Sequence, residues 1–383
     1  MLFESTDIVV LAVLSSCWII QILYYWIYLA KPYYHRRKGN QAKITFHPDA
    51  QPVSVIIYAR NEAKNLEKYL PAILEQNYPQ YEVIVVNDCS IDDTEDILRR
   101  IITQYKHIYC TYVPPETKSL SRKKLALTIG IKAAHYSNLL FLDADSCPVS
   151  PDWLRLMAQH FSEQKNIVLG FSALGKKPSL YAAYDYFFSN LQMMALALMN
   201  RACTGNGKNL AYNKNELAWQ QAFSDFSFLE AGEDDLLVSK LAQRGKVAVE
   251  VSSDSLIRVN MDKRWMWQEL KVKRMTTLPF YKAFPIVFWM IEKISRLLFY
   301  FMFVFVCVWF YPDWMKAGIG VAFFLTRFLT QWIVVNRTTK LLKLPKFHFN
   351  LLIFDIIQPF VNVYFYLDKI FQSKPKEYKK YGK

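Results

Sequence analysis

Residues 7–29, DIVVLAVLSSCWIIQILYYWIYL, hold one early acid and then no charge for the rest of the run. At about 1.5 Å per residue, a stretch of this length spans the roughly 30 Å hydrocarbon layer of a bilayer. Lipid offers no hydrogen bonds, so a run that crosses it must satisfy its own backbone, which a helix does. Tyr24, Tyr25, Trp26 and Tyr28 suit the membrane interface. A cleaved signal peptide is disfavoured, because no basic region leads the run and His35-Arg36-Arg37-Lys38 follows it. The same asymmetry predicts, by the positive-inside rule, an integral protein of the cytoplasmic (inner) membrane whose globular part lies in the cytoplasm.

Apolar runs return after about residue 285. Residues 282–295 mix Lys282, Glu292 and Lys293 with bulky apolar side chains and read as an interfacial helix. Residues 296–311 and 315–335 read as a membrane hairpin turned around Tyr311-Pro312-Asp313, followed by a basic loop from Arg337 to Lys346. Residues 349–367 are apolar but carry Asp355 and Pro359. They either span or re-enter, and the basic tail after them favours re-entry. The Asn336-Arg-Thr sequon falls on the cytoplasmic side and reads as accidental. The expected organisation is an anchor over 1–32, a linker over 33–50, a globular domain over 51–281, interfacial and transmembrane helices over 282–371, and a basic tail over 372–383. Lys and Arg exceed Asp and Glu by 47 to 33, a balance of +14. The basic residues cluster beside the apolar runs, and no zinc-finger spacing, RNP-like motif or basic zipper is present. A lipid surface rather than nucleic acid is the expected partner of that charge. Six scattered cysteines without a C-x-x-C pair argue against a disulfide framework or a zinc site.

The middle region alternates short β-branched runs with helical patterns. VSVIIY (53–58), YEVIVV (81–86), 108–113 and NLLFL (138–142) read as buried strands. Helical spacing fills 63–76, 92–105 and 121–135 between them. Such alternation is the signature of a doubly wound, mostly parallel α/β sheet of Rossmann-like type. Ligands of these sheets bind beyond the carboxyl ends of the strands. Those ends carry Arg60-Asn61-Glu62, Asn87-Asp88 and Asp143-Ala-Asp145.

A lone acidic turn is usually a cap or a solvated loop, but three polar strand ends on one sheet edge argue for a site. Asp143 and Asp145, with small Ala144 between them, can both face one hard cation, so Mg²⁺ or Mn²⁺ is the expected cofactor. Arg122, Lys123 and Lys124 open a helix whose dipole they oppose. They are either a solvated basic turn or, with Lys123 foremost, contacts to a diphosphate. Glu233-Asp234-Asp235 precedes the helical stretch LLVSKLAQRG, which ends at Gly245. Capping explains part of that cluster, and a general base for an attacking hydroxyl explains the rest.

In order, VSVIIYARNE, VIVVNDCSIDDT, LLFLDADSCP, GNGKNLAYNK and AGEDDLLVSKLA resemble the family-2 glycosyltransferases of GT-A fold, membrane-anchored branch, over about residues 50–280. The resemblance implies an inverting transfer from a UDP- or GDP-sugar to a membrane-proximal acceptor, lipid-linked or saccharide, with no covalent enzyme intermediate. It implies that Glu62 and Asp88 hold base and ribose, that Asp143 contacts donor and metal, and that Asp145 ligates the metal. Gly205, Asn206 and Asn209, with Asp235, match the acceptor side. The chain departs from the family in two places. The usual Glu-Asp-x-Asp-Leu reads Gly232-Glu-Asp-Asp-Leu236, so the base falls on Glu233 or on Asp234 according to register. The Q-x-x-R-W of processive synthases reads Lys271-Val-Lys-Arg274-Met275, which keeps only the arginine. Arg274 lies either on lipid headgroups or near the diphosphate. A membrane nucleotidyl- or phosphotransferase on the same scaffold is the competing enzyme class. A non-catalytic scaffold would be expected to have lost these acids.

Overall fold

A computed structural model describes residues 4–39, 51–116, 121–162, 165–177, 179–216 and 218–371. The basic tail therefore lies outside the described residues, as does most of the linker. Helix α1 (Ser5–Leu23) continues through a π-helical turn at Tyr24–Leu29 into α2 (Lys31–Gly39). Then follow β1 (Val53–Ala59), α3 (Ala63–Leu74), β2 (Tyr81–Asn87), α4 (Thr94–Gln104), β3 (Ile108–Tyr112), α5 (Arg122–Ala133) and β4 (Asn138–Asp143). The second half of the domain comprises β5 (Ser146–Pro148), α6 (Trp153–Ser162), β6 (Ile167–Gly170), β7 (Ser172–Lys176), α7 (Leu180–Leu198), β8 (Leu210–Asn213), α8 (Trp219–Asp225), α9 (Asp235–Leu241), β9 (Val247–Glu250), β10 (Ile257–Asn260) and α10 (Arg264–Thr277). Helices α11 (Ala283–Trp309), α12 (Trp314–Leu341) and α13 (Asn350–Phe371) complete the described chain.

Two compact units result. Residues up to Arg37 with Lys282–Tyr364 form a helical one, and Lys38–Tyr281 with the residues from Phe365 onward form an α/β one. In the α/β unit a seven-stranded sheet has the order β3-β2-β1-β4-β8-β6-β9. Strands β1 to β4 are parallel, and β8 runs antiparallel to both β4 and β6. The order reverses between β1 and β4, which opens the crevice where doubly wound folds bind ligands. Val55, Ile56, Ile57, Val83, Val85, Leu139 and Leu140 are fully buried, as strands covered on both faces require. Gly130 lets α5 lie close on that sheet, since a Cβ there would sit 2.7 Å from Ile56. A smaller sheet, β5-β10-β7, begins directly after Asp145.

The helical unit corrects one expectation. The interfacial helix at 282–295 and the hairpin limb at 296–311 are a single helix, α11. Of the charges that suggested an interface, Glu292 is turned inward while Lys282 stays exposed. Glu292 pairs with Arg296 one turn on, at 3.1 Å, and Asp355 of α13 receives both Arg296 and Arg327, at 3.0 and 2.7 Å. Around them Leu14, Cys17, Phe299, Met302 and Val306 pack α1 against α11. Three helical stretches, Ser5–Lys38, Trp314–Leu341 and Asn350–Asp368, are long and apolar enough to cross a membrane. Asn336 of the sequon is buried, with its amide nitrogen on the Trp332 carbonyl at 2.9 Å.

Candidate active site

The ends of β1 and β2 are joined to each other. Asn61 and Cys89, just past them, both adopt positive φ, 54° and 48°. Asn61 N donates to Ser90 Oγ at 2.9 Å, and Ile91 N donates to Asn61 Oδ1 at 2.8 Å. Such turns at non-glycine residues persist only where the surroundings hold them. Asp88 is fully buried beneath this junction. It accepts from Tyr58 Oη at 2.9 Å and from Arg122 Nε at 2.7 Å. Glu62 lies at the edge of the same region, bonded to Asn65 Nδ2 at 2.6 Å, while its backbone N–H meets Thr94 Oγ1 at 3.0 Å.

The three basic residues that open α5 are not a solvated turn. Ser121 caps the helix by accepting from Lys124 N. Arg122 pairs with Asp88, Lys123 with Asp143 at 2.9 Å, and Lys124 donates to the carbonyls of Phe226 and Leu229 at 2.6 and 2.8 Å. Lys123 also lies 3.5 Å from Glu233 and stands 5.7 Å from the centre of the Tyr58 ring. Each opposes the helix dipole because an acid or a carbonyl faces it.

On the other side of Asp143 stands Lys208, a residue not singled out from the sequence. Its ammonium is 2.9 Å from Asp143 Oδ2 and 2.7 Å from both carboxylate oxygens of Asp145. The result is a line of alternating charge: Glu233, Lys123, Asp143, Lys208, Asp145. Burial opposes ionisation of Asp143, but Lys123 and Lys208 outweigh it and hold the carboxyl below the usual carboxylate range. Burial likewise opposes charge on Lys208, yet Asp143 and Asp145 raise it above the ordinary lysine value. Lys208 was findable in principle, because GNGKN immediately precedes β8, which pairs with the strand carrying Asp143.

The Glu233-Asp234-Asp235 loop is reached from the opposite side. Asp234 accepts from Gly207 N at 2.7 Å and from Asp235 N at 2.8 Å, and so caps α9. Burial and then its neighbour Glu233 raise its pKa. Asp235 accepts from Leu236 N at 2.8 Å, from Tyr281 Oη at 2.6 Å and from Thr277 Oγ1. Burial, followed by the Asp234 charge, pushes it up to about 7. Glu233 differs: its Oε2 is buried without a hydrogen-bond partner. Gly205 packs under the loop, where a Cβ would lie 2.7 Å from Val238 and 2.9 Å from the Asp234 carbonyl.

Asn206 and Asn209 are buried and fully engaged. Asn206 Nδ2 meets Ser172, Tyr186 and Asn190 at 2.9, 2.9 and 3.0 Å. Asn209 donates to the Phe171 and Ser255 carbonyls and accepts from Trp153 Nε1. Along α10, Lys271 is buried on Asp185 at 2.6 Å, and Arg274 lies 5.6 Å over the Tyr186 ring. The helix thus turns basic residues toward the domain. Lys123, Asp143, Asp145, Glu233 and Asp234 are brought together, while Glu62 and Asp88 form a separate group joined to them through Tyr58.

A small void is lined by Lys123, Asp143, Gly207, Glu233 and Asp234. A cavity of about 450 Å³ lies elsewhere, between α5 and α8. Ser121, Lys124, Trp219 and Phe223 line it and no acid does, whereas Asp143, Glu233 and Asp234 line the smaller opening. The donor set there suits a hard cation. Three carboxylate oxygens converge on one positively charged atom, Lys208 Nζ, which stands in for such an ion. Among the described residues no three His, Cys, Asp or Glu side chains gather into a metal cluster, so protein alone would not complete the coordination.

Residues 54–209 match the model of glycosyl transferase family 2. The chain is similar to glycosyltransferase AglE of Haloferax volcanii, 32% identical over 145 residues, which are 37% of this chain and 46% of AglE. It is also similar to poly-beta-1,6-N-acetyl-D-glucosamine synthase of Staphylococcus epidermidis, 30% identical over 135 residues, 35% of this chain and 30% of that protein. The chain thus spans less than half the length of either relative. Among solved structures, the mannosyltransferase PcManGT from Pyrobaculum calidifontis, in complex with GDP-Man and Mn²⁺, superposes with a TM-score of 0.53 at 17% identity, covering 96% of this chain and 99% of that one. At that identity the likeness speaks for the shared GT-A fold. The strands and turns that carry Asp88, Lys123, Asp143, Asp145 and Lys208 all fall within the stretch that matches the model of glycosyl transferase family 2.

Proposed function

We propose that the protein is an inverting, membrane-anchored glycosyltransferase that moves a sugar from a UDP- or GDP-sugar to a membrane-proximal acceptor, lipid-linked or saccharide. The observation that carries this is the line of charge from Glu233 to Asp145 at the crevice between β1 and β4. It sets anion-binding ammonium groups beside metal-binding carboxylates and a carboxylate with a free oxygen. Those are the three needs of glycosyl transfer from a diphosphate.

In this reading the nucleoside lies over Asp88 and Glu62, and the diphosphate lies along Lys123, with Arg274 closing from α10. Asp145 and Asp143 would hold Mg²⁺ or Mn²⁺, which supplies neutralisation of the departing phosphate. An acceptor hydroxyl attacks the anomeric carbon from the face opposite the diphosphate. The new C–O bond forms as the bond to the phosphate oxygen breaks, and the hydroxyl proton passes to a carboxylate. Glu233 suits that role better than Asp234. Both oxygens of Asp234 accept backbone N–H groups, whereas Glu233 Oε2 has no partner. Lys123 stands 3.5 Å from Glu233 and holds its other oxygen toward α5. Three helices able to cross a membrane support an acceptor at the bilayer surface.

The test is a thermal-shift screen of the detergent-solubilised full chain against UDP- and GDP-sugars with Mg²⁺ or Mn²⁺. A matching donor raises the melting temperature by mass action. No shift with any of them at millimolar concentration would count against the proposal.

A further inference from the structure

The sequence GNGKN places Lys208 between two clamped asparagines. Asn206 is held by Ser172, Tyr186 and Asn190, and Asn209 by Trp153 and two backbone carbonyls. Gly207 N is fastened to Asp234, and Lys208 N itself donates to Asn206 Oδ1 at 3.2 Å. The Lys208 backbone is therefore fixed, and only its four-carbon stem is free to swing. The carboxylates opposite are equally anchored, because Asn260 N holds the Asp145 carbonyl at 2.9 Å and Lys123 holds Asp143.

The ammonium of Lys208 occupies the point on which both carboxylates converge. Mg²⁺ binds oxygen ligands at about 2.0–2.1 Å. Placed on these oxygens, it would lie within about a bond length or two of the Lys208 charge, and like charges so close repel strongly. Ammonium and metal thus compete for the same three oxygens. Lys208 can yield only if another anion takes its charge. Asp143 and Asp145 are its ion-pair partners among the described residues, so that anion must come from outside.

From this we infer that Lys208 is a donor-operated gate on the cation site: it keeps Asp143 and Asp145 closed to divalent metal until a nucleoside diphosphate gives its ammonium a second partner. The inference rests on the proposed donor reading and deepens it. Metal and nucleotide then bind with positive coupling, and the coupling is reciprocal. Lys208 acts here as a positioning residue, through the carboxylates rather than on the reacting atoms.

Mn²⁺ binding to the full chain in detergent, read by the loss of the free-ion EPR signal, tests this without turnover. UDP or GDP should tighten Mn²⁺ binding to the unaltered protein by at least about tenfold. Lys208→Met should bind Mn²⁺ alone at least about tenfold more tightly than the unaltered protein, and the nucleotide should add little. Mn²⁺ affinity that is high without nucleotide, unchanged by it and equal in Lys208→Met would overturn the gate. Lys208→Gln, which also loses the charge but keeps a polar end, is the second variant if Lys208→Met does not fold, and the same gain in affinity for Mn²⁺ alone is expected of it. Nucleotide binding is followed in the same samples by thermal shift. If neither UDP nor GDP binds with Mn²⁺ present, the donor reading fails and the coupling with it. If a nucleotide binds without changing Mn²⁺ affinity, the gate alone fails.

Discussion

The ammonium of Lys123 lies 2.9 Å from Asp143 and 3.5 Å from Glu233. One side chain on α5 thereby joins the strand end that carries the candidate metal acids to the loop that carries the candidate base. Residues 90 positions apart in the chain share one cation, and the roles of the two acids in Glu233-Asp234 separate from there.

Glu233→Gln should lower turnover by roughly 10²–10⁴-fold, the usual contribution of a general base, and leave donor binding within a few-fold. Asp234→Ala removes the cap of α9 and the anchor of Gly207, and should cost about 1 kcal/mol of stability. Steady-state kinetics beside thermal unfolding separates the two. If Asp234→Ala removed turnover while Glu233→Gln kept it, the base assignment would reverse.

The carboxyl of Asp235 sits at about 7 because burial and Asp234 favour its neutral form. In the folded state it keeps its proton at pH values where the unfolded chain has lost it. Raising the pH from about 4 to 7 should therefore lower stability, with the loss complete above the folded value, by an amount on the order of 2–4 kcal/mol. Asp235→Asn should flatten that slope. Unfolding of both proteins across this range checks the sign, and a wild-type stability that rises between pH 4 and 7 in step with the variant would contradict it.

Gly205→Ala would push a Cβ to within 2.7 Å of Val238 and 2.9 Å of the Asp234 carbonyl. Overpacking of this kind costs about 1–3 kcal/mol, and the shift is transmitted to the base loop. A lower melting temperature together with reduced turnover is expected, and a variant unchanged in both would show that the loop has room.

Asp355 is the shared counter-ion of Arg296 and Arg327 inside the helical unit. Asp355→Ala leaves two buried cations without it, at a cost of about 3–5 kcal/mol. Asp355→Asn, which keeps the hydrogen-bonding shape, should lose less. Detergent-solubilised thermal unfolding of both gives the order, and equal stability of the alanine variant would mean that water or lipid already serves the two arginines.

The parallel half of the fold was legible because β1, β2 and β4 are continuous apolar runs that end in polar turns. Their bounds match the sequence reading to within about a residue. The second half was not, because β6, β8, β9 and β10 are four residues each, too short for periodicity to separate them from loops. In the membrane region the charges of Glu292 and Lys293 suggested a separate interfacial helix. They did not interrupt α11, because the partner that makes burial of this cluster tolerable, Asp355, lies about sixty residues away. The site shows the same division. Asp88, Asp143 and Asp145 announce themselves at strand ends. Lys208 does not, since its meaning depends on β8 lying beside β4. What sets Glu233 apart from Asp234 is likewise a matter of hydrogen bonds that sequence does not display.

The proposed reaction transfers a sugar and releases a nucleoside diphosphate. Mass spectrometry of the soluble products, after incubating the full chain in a lipid extract with a panel of UDP- and GDP-sugars and Mg²⁺ or Mn²⁺, tests it most directly. Free UDP or GDP is expected from one matching donor, with the signal falling at least about 10²-fold in Asp145→Asn. Release of pyrophosphate or transfer of phosphate instead, or undiminished activity of Asp145→Asn, would contradict it.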